Sequence, residues 1–406
     1  MKRDGKEAAR DFLMNRPMYD LILKGGTVVD PAQQLHQVLD VAIADGKIAR
    51  LASELDPSLA WQVMDVTGQI VTPGLVDLHT HVYWGGTPLG MNADRVGPAT
   101  GVTTFVDAGS AGVGNFRGFK EHVIDRSRVR IVAFLHISHL GLLGAIFDAT
   151  NLAVVGESFD LRYLLVGPAV MLGRAYPKVI RGIKVRTSLE ASGDRGVIPL
   201  RLALQAAEEL GVPVMVHIGP PPPTRREVLS LLRPGDILTH VFRGDPNGPL
   251  DRHGRVLPEM VEARQRGVWM DLGHGGSSFS WNVARQMLDQ GFAPDIISSD
   301  AHHGLDIKVG GDPGLPPRTL PGTMSKMLSL GMSLEEVIRA STITPARAIG
   351  LQQEIGSLRE GAVADIAVFE LEEGEFEFED MYSGQTVGHL RLTPRLTLVR
   401  GEILHG

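Results

Sequence analysis

Short apolar segments alternate with helical segments through the middle of the chain, and this pattern constrains the fold more than any other feature. Helical patterns such as PLRLALQAAEELG and PEMVEARQRG separate several of the apolar segments. Strands alternating with helices are typical of βαβ units around a parallel sheet, and eight units can close into a barrel. The pattern over residues 73–352 therefore predicts an α/β fold, a (β/α)₈ TIM barrel. The eight candidate strands are GLVDLHTH, GVTTFVDAG, RIVAFLHIS, GIKVR, VPVMVHIG, DILTH, GVWMDLG and PDIISSDAH.

The two ends of the chain have a different pattern, in which short strands are joined by tight turns. Residues 17–72 contain LDVAIADGKIARLAS, where Asp45-Gly46 between alternating apolar positions is a hairpin signal. Residues 353–406 repeat this style in GAVADIAVFELEEG and LRLTPRLTLVRGEILHG. We expect both ends to form one small β-sandwich domain. The acidic stretch from Glu370 to Asp380 is expected to be a solvated loop, and residues 1–16 an N-terminal extension.

Composition excludes several classes of function. The formal net charge of −7 provides no basic surface for nucleic acid. The sequence contains no run of about 18 apolar residues, so we expect no membrane span. The charged first 16 residues lack the apolar region of a secretory signal. Because the chain has no cysteine, any metal would be held by His, Asp, Glu or a modified Lys. We expect a cytoplasmic protein.

The candidate strands carry a His, Lys or Asp within or at the end of an apolar run. Barrel strands are buried on both faces, so each such residue is costly unless it is paired or bound. Barrel active sites are built at the carboxyl ends of the strands. The first strand ends in His79 and His81, which share one face because the side-chain period of a strand is two. His217, His240 and Asp300 end the fifth, sixth and eighth strands, and together the five side chains are typical of a zinc site.

Lys184 lies alone in the middle of the fourth candidate strand, GIKVR. A bare ammonium that points into a barrel is costly unless it is paired. In one interpretation Lys184 forms an ion pair with an aspartate such as Asp107. In the other, Lys184 is neutral because it is buried, captures CO₂ and becomes a carbamate. A carbamate presents two oxygens, so it can bridge two cations and also removes the unpaired charge.

These residues and their surrounding segments resemble the binuclear amidohydrolases. The resemblance is carried by VTPGLVDLHTH, by Lys184, and by TPARAIGLQQEIGSLREGAVADIAVFE, which is similar to the segment where those enzymes re-enter the sandwich. It covers nearly the whole chain from about Tyr19. The segments TGVTTFVDAGSAG, VMVHIGPPP, GDILTH and DLGHGGSSFS are most similar to a dihydroorotase-like deacetylase branch. That branch is associated with hydrolysis of N-acyl amino acids or acyl esters of α-hydroxy acids.

The resemblance implies two divalent metal ions, Zn²⁺ being expected, bridged by a hydroxide. Two cations about 3.5–4 Å apart lower the pKa of a shared water and polarise the substrate carbonyl. Asp300 would take the proton from the attacking oxygen and pass it to the leaving group. The implied ligands are His79, His81 and Asp300 for one metal, His217 and His240 for the other, and carboxylated Lys184 between them.

Four further residues are candidate substrate contacts. His274, in DLGHGG, would contact the substrate carbonyl or carboxylate, or else order its own loop. Arg186 and Arg243 follow ligand positions and would hold a substrate carboxylate by bidentate hydrogen bonds, unless they form surface salt bridges. Tyr83 follows the His-x-His pair and is expected to line the pocket. His136, which closes the third strand, is interpreted as structural.

The leading hypothesis is a binuclear zinc hydrolase that cleaves an acyl ester or amide in a small substrate carrying a carboxylate, and we expect a homo-oligomer. The same ligands would also serve a cyclic amide hydrolase of the dihydroorotase or hydantoinase type. A third hypothesis is a non-catalytic binding or assembly relative, although such proteins typically lose metal ligands. A fourth is a mononuclear, deaminase-like site, in which a bridging Lys184 would have little purpose.

Overall fold

The structure is a computed structural model that describes residues 17–145, 155–303, 318–380, 382 and 384–406. The predicted extension, residues 1–16, lies outside this range. The strands, β1 to β15 in chain order, are Tyr19–Asp30, Leu35–Ala44, Lys47–Ala52, Ala60–Asp65, Ile70–Pro73, Leu75–Thr80, Val102–Gly112, Arg130–His136, Ile180–Thr187, Val214–Ile218, Ile237–Leu238, Trp269–Met270, Ile366–Glu379, Gln385–Val399 and Glu402–His405. The α-helices, α1 to α11, are Ala93–Thr100, Phe116–His122, Val166–Ala175, Leu189–Ser192, Ile198–Leu210, Arg225–Leu229, Pro258–Gln265, Trp281–Asp289, Leu320–Ser329, Leu334–Ser341 and Ile343–Ala348.

The central region contains a curled parallel sheet, as the alternating pattern predicts. Strands β6 to β12 lie side by side in chain order, and every neighbouring pair is parallel. The predicted helices before the fifth and seventh candidate strands are present as α5 and α7. Because parallel neighbours end on the same edge of a sheet, the carboxyl ends of these strands meet at one rim.

The eighth candidate strand, PDIISSDAH, is not a strand of this sheet, so the prediction of eight strands is corrected. Within the described residues this segment makes isolated parallel bridges, one to Asp271 after β12 and one to Thr80 in β6. In the polar centre of this segment, the Ser299 amide donates to the carboxylate of Asp77 at 3.0 Å rather than to the backbone of a neighbouring strand. The segment therefore lies between the two edge strands without continuing the ladder.

Both ends of the chain contribute to a second sheet. Its order is β15-β14-β13-β5-β1-β2-β3, and β4 pairs with β1. The antiparallel pairing of β5 with β13 joins the two ends in one continuous sheet, which confirms that both ends form one unit, while its form as a β-sandwich stays a prediction. The predicted hairpin turn is confirmed, because Asp45 and Gly46 connect β2 to β3 with φ values of 50° and 71°.

The acidic stretch is a strand, which corrects the prediction of a solvated loop. Most of it lies in β13, which pairs with β14 as far as Glu379 opposite Gln385. Glutamates alternate with half-buried Phe376 and Phe378 along this strand. Phe378 packs against the apolar cluster of the central region. The alternation gives the strand one charged face and one apolar face, as expected for a half-buried sheet.

The two sheets share an apolar core. Phe369 on β13 and Leu392 on β14 are buried in the same cluster as Phe105 and Leu135 of the parallel sheet.

Helix α10 begins with the predicted capping box, since the Ser333 hydroxyl accepts from the Glu336 amide and the Glu336 carboxylate accepts from the Ser333 amide. In the described ranges, no helix is long and apolar enough to cross a membrane. The predicted domain boundaries stay predictions.

Candidate active site

Two histidines at the end of β6 converge on Asp300 from the eighth segment. The Nε2 atoms of His79 and His81 lie 3.3 and 3.1 Å from Asp300 Oδ1. The pairing of β6 with β7 shifts register between Asp77 and Thr80, the stretch that contains His79. Among the described residues, His79, His81 and Asp300 form one group in which all three ligand atoms lie within 4.8 Å of one another.

The other three predicted ligands lie beside this group. His217 Nδ1, at the end of β10, is 2.7 Å from His240 Nε2, after β11. The rings of His79 and His240 are 5.2 Å apart, so the two histidine pairs are neighbours. Lys184 Nζ, on β9, lies 3.2 Å from His79 Nε2. The structure thus brings all six predicted metal ligands into one contiguous cluster at the rim.

Hydrogen bonds fix the protonated nitrogen of His79. Burial raises the pKa of Asp271 to about 6, which is still below neutral pH, so its carboxyl group is mostly ionised there. The carboxylate accepts a hydrogen bond from the Thr239 hydroxyl at 2.6 Å. That hydroxyl has no second proton, so it accepts from His79 Nδ1 at 2.9 Å. The proton of His79 is therefore on Nδ1, and the lone pair of Nε2 faces Asp300.

The same reasoning applies to the second histidine pair. His240 Nδ1 lies 2.7 Å from the carbonyl oxygen of Gly273, which only accepts, so Nδ1 carries the proton. The lone pair of His240 Nε2 then faces His217. Burial lowers the pKa of His217 and of His240 well below the usual value, so both rings are neutral. Neutral imidazole is the form that binds metal.

The chemistry of this donor set fits divalent metal ions. Two imidazole Nε2 atoms and one carboxylate oxygen converge in the first group, and no thiolate is present. Imidazole and carboxylate ligands suit zinc and similar ions. Burial would raise the pKa of Asp300, but His79 and His81 hold it well below its usual range. The carboxylate is therefore ionised, and 13% of its side chain is exposed to the mouth.

Lys184 is buried without a carboxylate partner among the described residues. Asp107, the partner considered above, instead accepts from the amides of Val82 and Ser110 at 2.9 and 2.8 Å. Burial lowers the pKa of Lys184 to about 7. Gly109, with a φ of 84°, leaves room for this side chain, since a Cβ there would lie 2.6 Å from Lys184 Cγ. The surroundings therefore favour a neutral amine over an ion pair.

The loop after β12, DLGHGG, packs its backbone directly on Asp300 and on Thr239, the partner of His79. A Cβ on Gly273 would lie 2.1 Å from Thr239 Oγ1, and one on Gly275 would lie 2.3 Å from Asp300 Oδ2. Two of the ligands themselves have left-handed backbones, with φ of 66° at His240 and 47° at Asp300. Such conformations are uncommon outside glycine and cluster at functional sites.

The two candidate arginines differ in their partners. Arg186 Nη1 lies 2.8 Å from Oε1 of the fully buried Glu157, so its ion pair is internal rather than on the surface. Arg243 is also buried, but Nη1 makes only long contacts of 3.4 Å to Ser277 O and Ser278 Oγ. Its Nε has no partner, and among the described residues no carboxylate pairs with it.

His274 has both ring nitrogens occupied. Nδ1 donates to the Gly275 carbonyl at 3.1 Å, and Nε2 accepts from Lys326 Nζ at 2.8 Å. The ring stacks on Phe279 with centroids 4.7 Å apart. This arrangement fits the loop-ordering alternative considered for His274, and its contact with substrate stays a prediction.

Tyr83 lies beside helix α2. Its hydroxyl donates to the Asn115 carbonyl at 3.2 Å, and its ring packs on Phe119 with centroids 4.7 Å apart. Among the described residues, no hydrogen bond or ring contact joins Tyr83 to the six-residue cluster, so its role as a pocket residue also stays a prediction.

Sequence reasoning missed the residues that hold the ligands. Thr239 and Asp271 orient His79, and Ser110 Oγ lies 3.2 Å from His81 Nδ1. Asp271 could have been found, because it is a charged residue inside the apolar run GVWMDLG. His136 Nδ1 accepts from the Ser138 amide, and within the described residues its buried Nε2 has no partner, so its structural interpretation stays a prediction.

Comparison with known proteins gives consistent matches along the chain. The amidohydrolase family model matches residues 70–404. A deacetylase of Agrobacterium fabrum is 37% identical over 362 residues, covering 89% of this chain and 85% of that protein. The crystal structure of an adenine deaminase matches with a TM-score of 0.84 at 30% identity, over 96% of this chain and 100% of that one. The crystal structure of a dihydroorotase matches with a TM-score of 0.82 at 34% identity, over 95% and 98%.

The family match begins at β5 and includes every residue of the histidine, lysine and aspartate cluster. The cluster has the ligand chemistry that a metal-dependent hydrolase needs, and the full-length structural matches have the same fold. The chain therefore belongs to the amidohydrolase family, as a dihydroorotase-like, metal-dependent amidohydrolase.

Proposed function

We propose that the protein is a binuclear zinc hydrolase that cleaves an acyl ester or amide bond in a small substrate carrying a carboxylate. Substrates of this type are N-acyl amino acids and acetylated α-hydroxy acids. The observation that carries the proposal is the convergence of His79 Nε2 and His81 Nε2 on an ionised carboxylate, with the His217–His240 pair and a buried lysine beside them. The deacetylase name of the Agrobacterium fabrum relative supports acyl compounds as the substrate class.

In this proposal each histidine pair serves one ion, and residues 294–302 take the eighth position of a (β/α)₈ barrel. When bound, the two ions activate a water and polarise the carbonyl of the substrate. Lys184 contributes as a carbamate, which requires a neutral amine, and its lowered pKa supplies that form near neutral pH. The proposed ligands are His79, His81 and Asp300 for one ion, His217 and His240 for the other, and Lys184 for both.

Asp300 is the proposed proton carrier. Its carboxylate is ionised and partly exposed to the mouth, so it can accept a proton from the attacking water. It then donates that proton to the departing nitrogen or oxygen, which cannot leave easily as an anion. The Gly275 backbone packs against Oδ2 and limits the directions the carboxylate can take.

Arg243 is the preferred candidate for binding the substrate carboxylate. It is a buried cation without a carboxylate partner in the described part of the chain, and burial of an unpaired charge is costly until an anion binds. Its charge contributes to lowering the pKa of His217, which indicates that the two side chains are close. Arg186 would have to share its guanidinium between the substrate and Glu157.

A second candidate function is cyclic amide hydrolysis of the dihydroorotase type. It is favoured by the dihydroorotase structure, which matches 95% of this chain at 34% identity. The ligand cluster serves either reaction, because the same activated water attacks an open or a cyclic carbonyl.

A substrate panel separates these functions. Zinc-loaded protein is assayed on N-acetyl amino acids and O-acetyl α-hydroxy acids, each beside its carboxamide, and on dihydroorotate, hydantoins and adenine. We expect hydrolysis of acetylated carboxylates, with the carboxamides cleaved at least about tenfold more slowly, since a charged hydrogen bond is lost. Faster opening of dihydroorotate would reverse the ranking, and deamination of adenine would overturn both candidates.

A further inference from the structure

The tip of the hairpin between β13 and β14 touches two loops of the barrel mouth. The Tyr382 hydroxyl accepts from the Gly244 amide at 3.1 Å and donates to the Ser277 carbonyl at 3.2 Å. Gly244 directly follows Arg243, and Ser277 lies three residues after His274. One hydroxyl group from the terminal sheet therefore bridges the loop after β11 to the loop after β12.

Lys326 makes a second connection between the hairpin and the mouth. Its ammonium donates to the Glu379 carbonyl at the end of β13 and to His274 Nε2 at 2.8 Å. It also lies over the Phe279 ring, 5.4 Å from the centroid. Because Nε2 accepts from Lys326, the proton of His274 stays on Nδ1, where it is donated to the Gly275 carbonyl.

The turn of the hairpin is shaped by one carboxylate. Asp380 accepts from the amides of Tyr382 and Gly384 at 2.8 and 2.6 Å. The same carboxylate accepts from the Trp281 amide at 3.0 Å, at the first residue of helix α8. The turn that presents Tyr382 is thus fixed both internally and to the barrel, so its hydroxyl is held in place.

The two bridged loops carry groups of the active site. Ser277 O, which accepts from Tyr382, is also a 3.4 Å neighbour of Arg243 Nη1. The loop after β12 supplies the Gly273 and Gly275 backbones that pack on Thr239 and Asp300. A displacement of either loop would move the Arg243 guanidinium or loosen the packing around the proton carrier.

We propose that the β13–β14 hairpin is a positioning element of the active site, and that Tyr382 and Lys326 are positioning residues for Arg243 and the His274 loop. Neither residue touches reacting atoms in this proposal. The kinetic part rests on the proposed function, through the role given to Arg243. Tyr382 is 42% exposed, so the two hydrogen bonds of its hydroxyl, rather than buried area, account for its contribution.

The first test removes a single oxygen with Tyr382→Phe. For the acetylated carboxylate that the wild-type enzyme cleaves best, we expect KM to rise about tenfold, since two hydrogen bonds are lost, while kcat changes less than about twofold. Amide hydrogen exchange should accelerate in residues 243–248 and 274–279 and nowhere else. Tyr163→Phe, which changes another tyrosine with a similar exposed fraction, serves as the matched control. Unchanged KM and unchanged exchange in Tyr382→Phe would overturn the proposal.

The second test follows the tautomer of His274 by ¹⁵N NMR in the zinc-loaded protein. The wild-type ring should show one tautomer, protonated at Nδ1. Lys326→Met should produce a mixture, and Lys326→Arg, which keeps a donor, should restore the single form. A single tautomer in Lys326→Met would contradict the role of Lys326. If the wild type cleaves no acyl compound, the proposed function fails, and hydrogen exchange and tautomer alone then decide whether the hairpin positions these loops.

Discussion

At the scale of single residues, each ligand histidine with a resolved tautomer is oriented by a partner behind it. Thr239 and the Asp271 carboxylate hold His79, and the Gly273 carbonyl holds His240. Partners of this kind fix ring orientation and raise metal affinity. In the proposed metal site, these hydrogen bonds would set the orientation of the His79 and His240 rings.

Gly273→Ala should damage the metal site more than its size suggests. The new Cβ would lie 2.1 Å from Thr239 Oγ1, and the φ of 49° is unfavourable for alanine by roughly 1–2 kcal/mol. We expect loss of bound zinc, measured by elemental analysis after dialysis. Gly276→Ala is the matched control, because the nearest atom to its Cβ would be His302 Nε2 at 3.6 Å. Full zinc content in Gly273→Ala would contradict the packing argument.

Lys184→Ala should remove metal and activity together. The wild type should carry close to two ions per chain, and the variant should lose the group that we propose to bridge them. Added formate or propionate should restore part of the activity, since a short carboxylate can occupy the space of the carbamate. The measurements are elemental analysis and initial rates. A variant that keeps its full rate without added acid would exclude the bridging role.

Lys184 should also give the metal-free protein a distinct pH dependence in CO₂-free buffer. Its pKa is about 7 when folded and 10.5 ordinarily, so between these values the unfolded chain binds the extra proton. Stability therefore rises with pH across this window, by about 1 kcal/mol or slightly more per pH unit. Urea unfolding at pH 7, 8 and 9 should show wild type gaining on Lys184→Met by this amount. A constant difference would mean that the buried lysine remains charged.

At the scale of elements, two of the strands that lead into the six-residue cluster and its supporting loop are very short. Strands β11 and β12 each have two residues, yet His240 and the DLGHGG loop follow them directly. Beyond these short strands the backbone still pairs with neighbouring segments, as when the Val241 amide donates to the Asp271 carbonyl at 3.2 Å. The Gly273 carbonyl, in contrast, accepts from His240 Nδ1, so the backbone also contributes to the cluster.

Helix α10 offers a test of local stability that is independent of the site. Its capping box satisfies backbone groups of the first turn through the Ser333 hydroxyl. Ser333→Ala should lower the free energy of unfolding by about 1 kcal/mol, while Ser333→Thr, which keeps the hydroxyl, should stay near wild type. Urea denaturation measures both. Equal stability of the Ala and Thr variants would show that the cap does not contribute.

At the scale of the whole molecule, the terminal sheet and the central region share one apolar core. Phe369 of β13 is fully buried in that cluster, and a Cβ on Gly101 would lie 2.8 Å from its ring. The hairpin that extends from the same strand reaches the loops after β11 and β12. The terminal sheet therefore packs on the central region and also contacts loops beside the six-residue cluster.

Phe369→Ala should destabilise both regions together. Removing a buried phenylalanine costs about 3–5 kcal/mol, and we expect one calorimetric transition shifted to lower temperature. Val387→Ala, at a side chain that is 51% exposed on β14, should stay within about 0.5 kcal/mol of wild type. Two separate transitions in Phe369→Ala would show that the sheet and the central region unfold independently.

The sequence alone determined the parallel α/β sheet, the six-residue cluster and the pairing of both chain ends in one sheet region. These predictions succeeded because burying a histidine, lysine or aspartate inside an apolar run costs free energy unless the side chain is paired or bound. The carboxyl ends of parallel strands also meet at one rim, which brings such side chains together. The alternation of Glu and Phe in EFEFE also carried information, since it has the period of the strand that the structure shows there.

Only the tertiary structure decided which polar groups hold the ligands and which residues surround the substrate region. Thr239, the Gly273 carbonyl and Tyr382 are distant in sequence from the groups they orient, and nothing local marks them. The internal ion pair of Arg186, and the lack of a carboxylate partner for Arg243 among the described residues, likewise depend on how separate loops pack. A residue's type predicts what it is able to bind, whereas its partner is set by packing between distant segments.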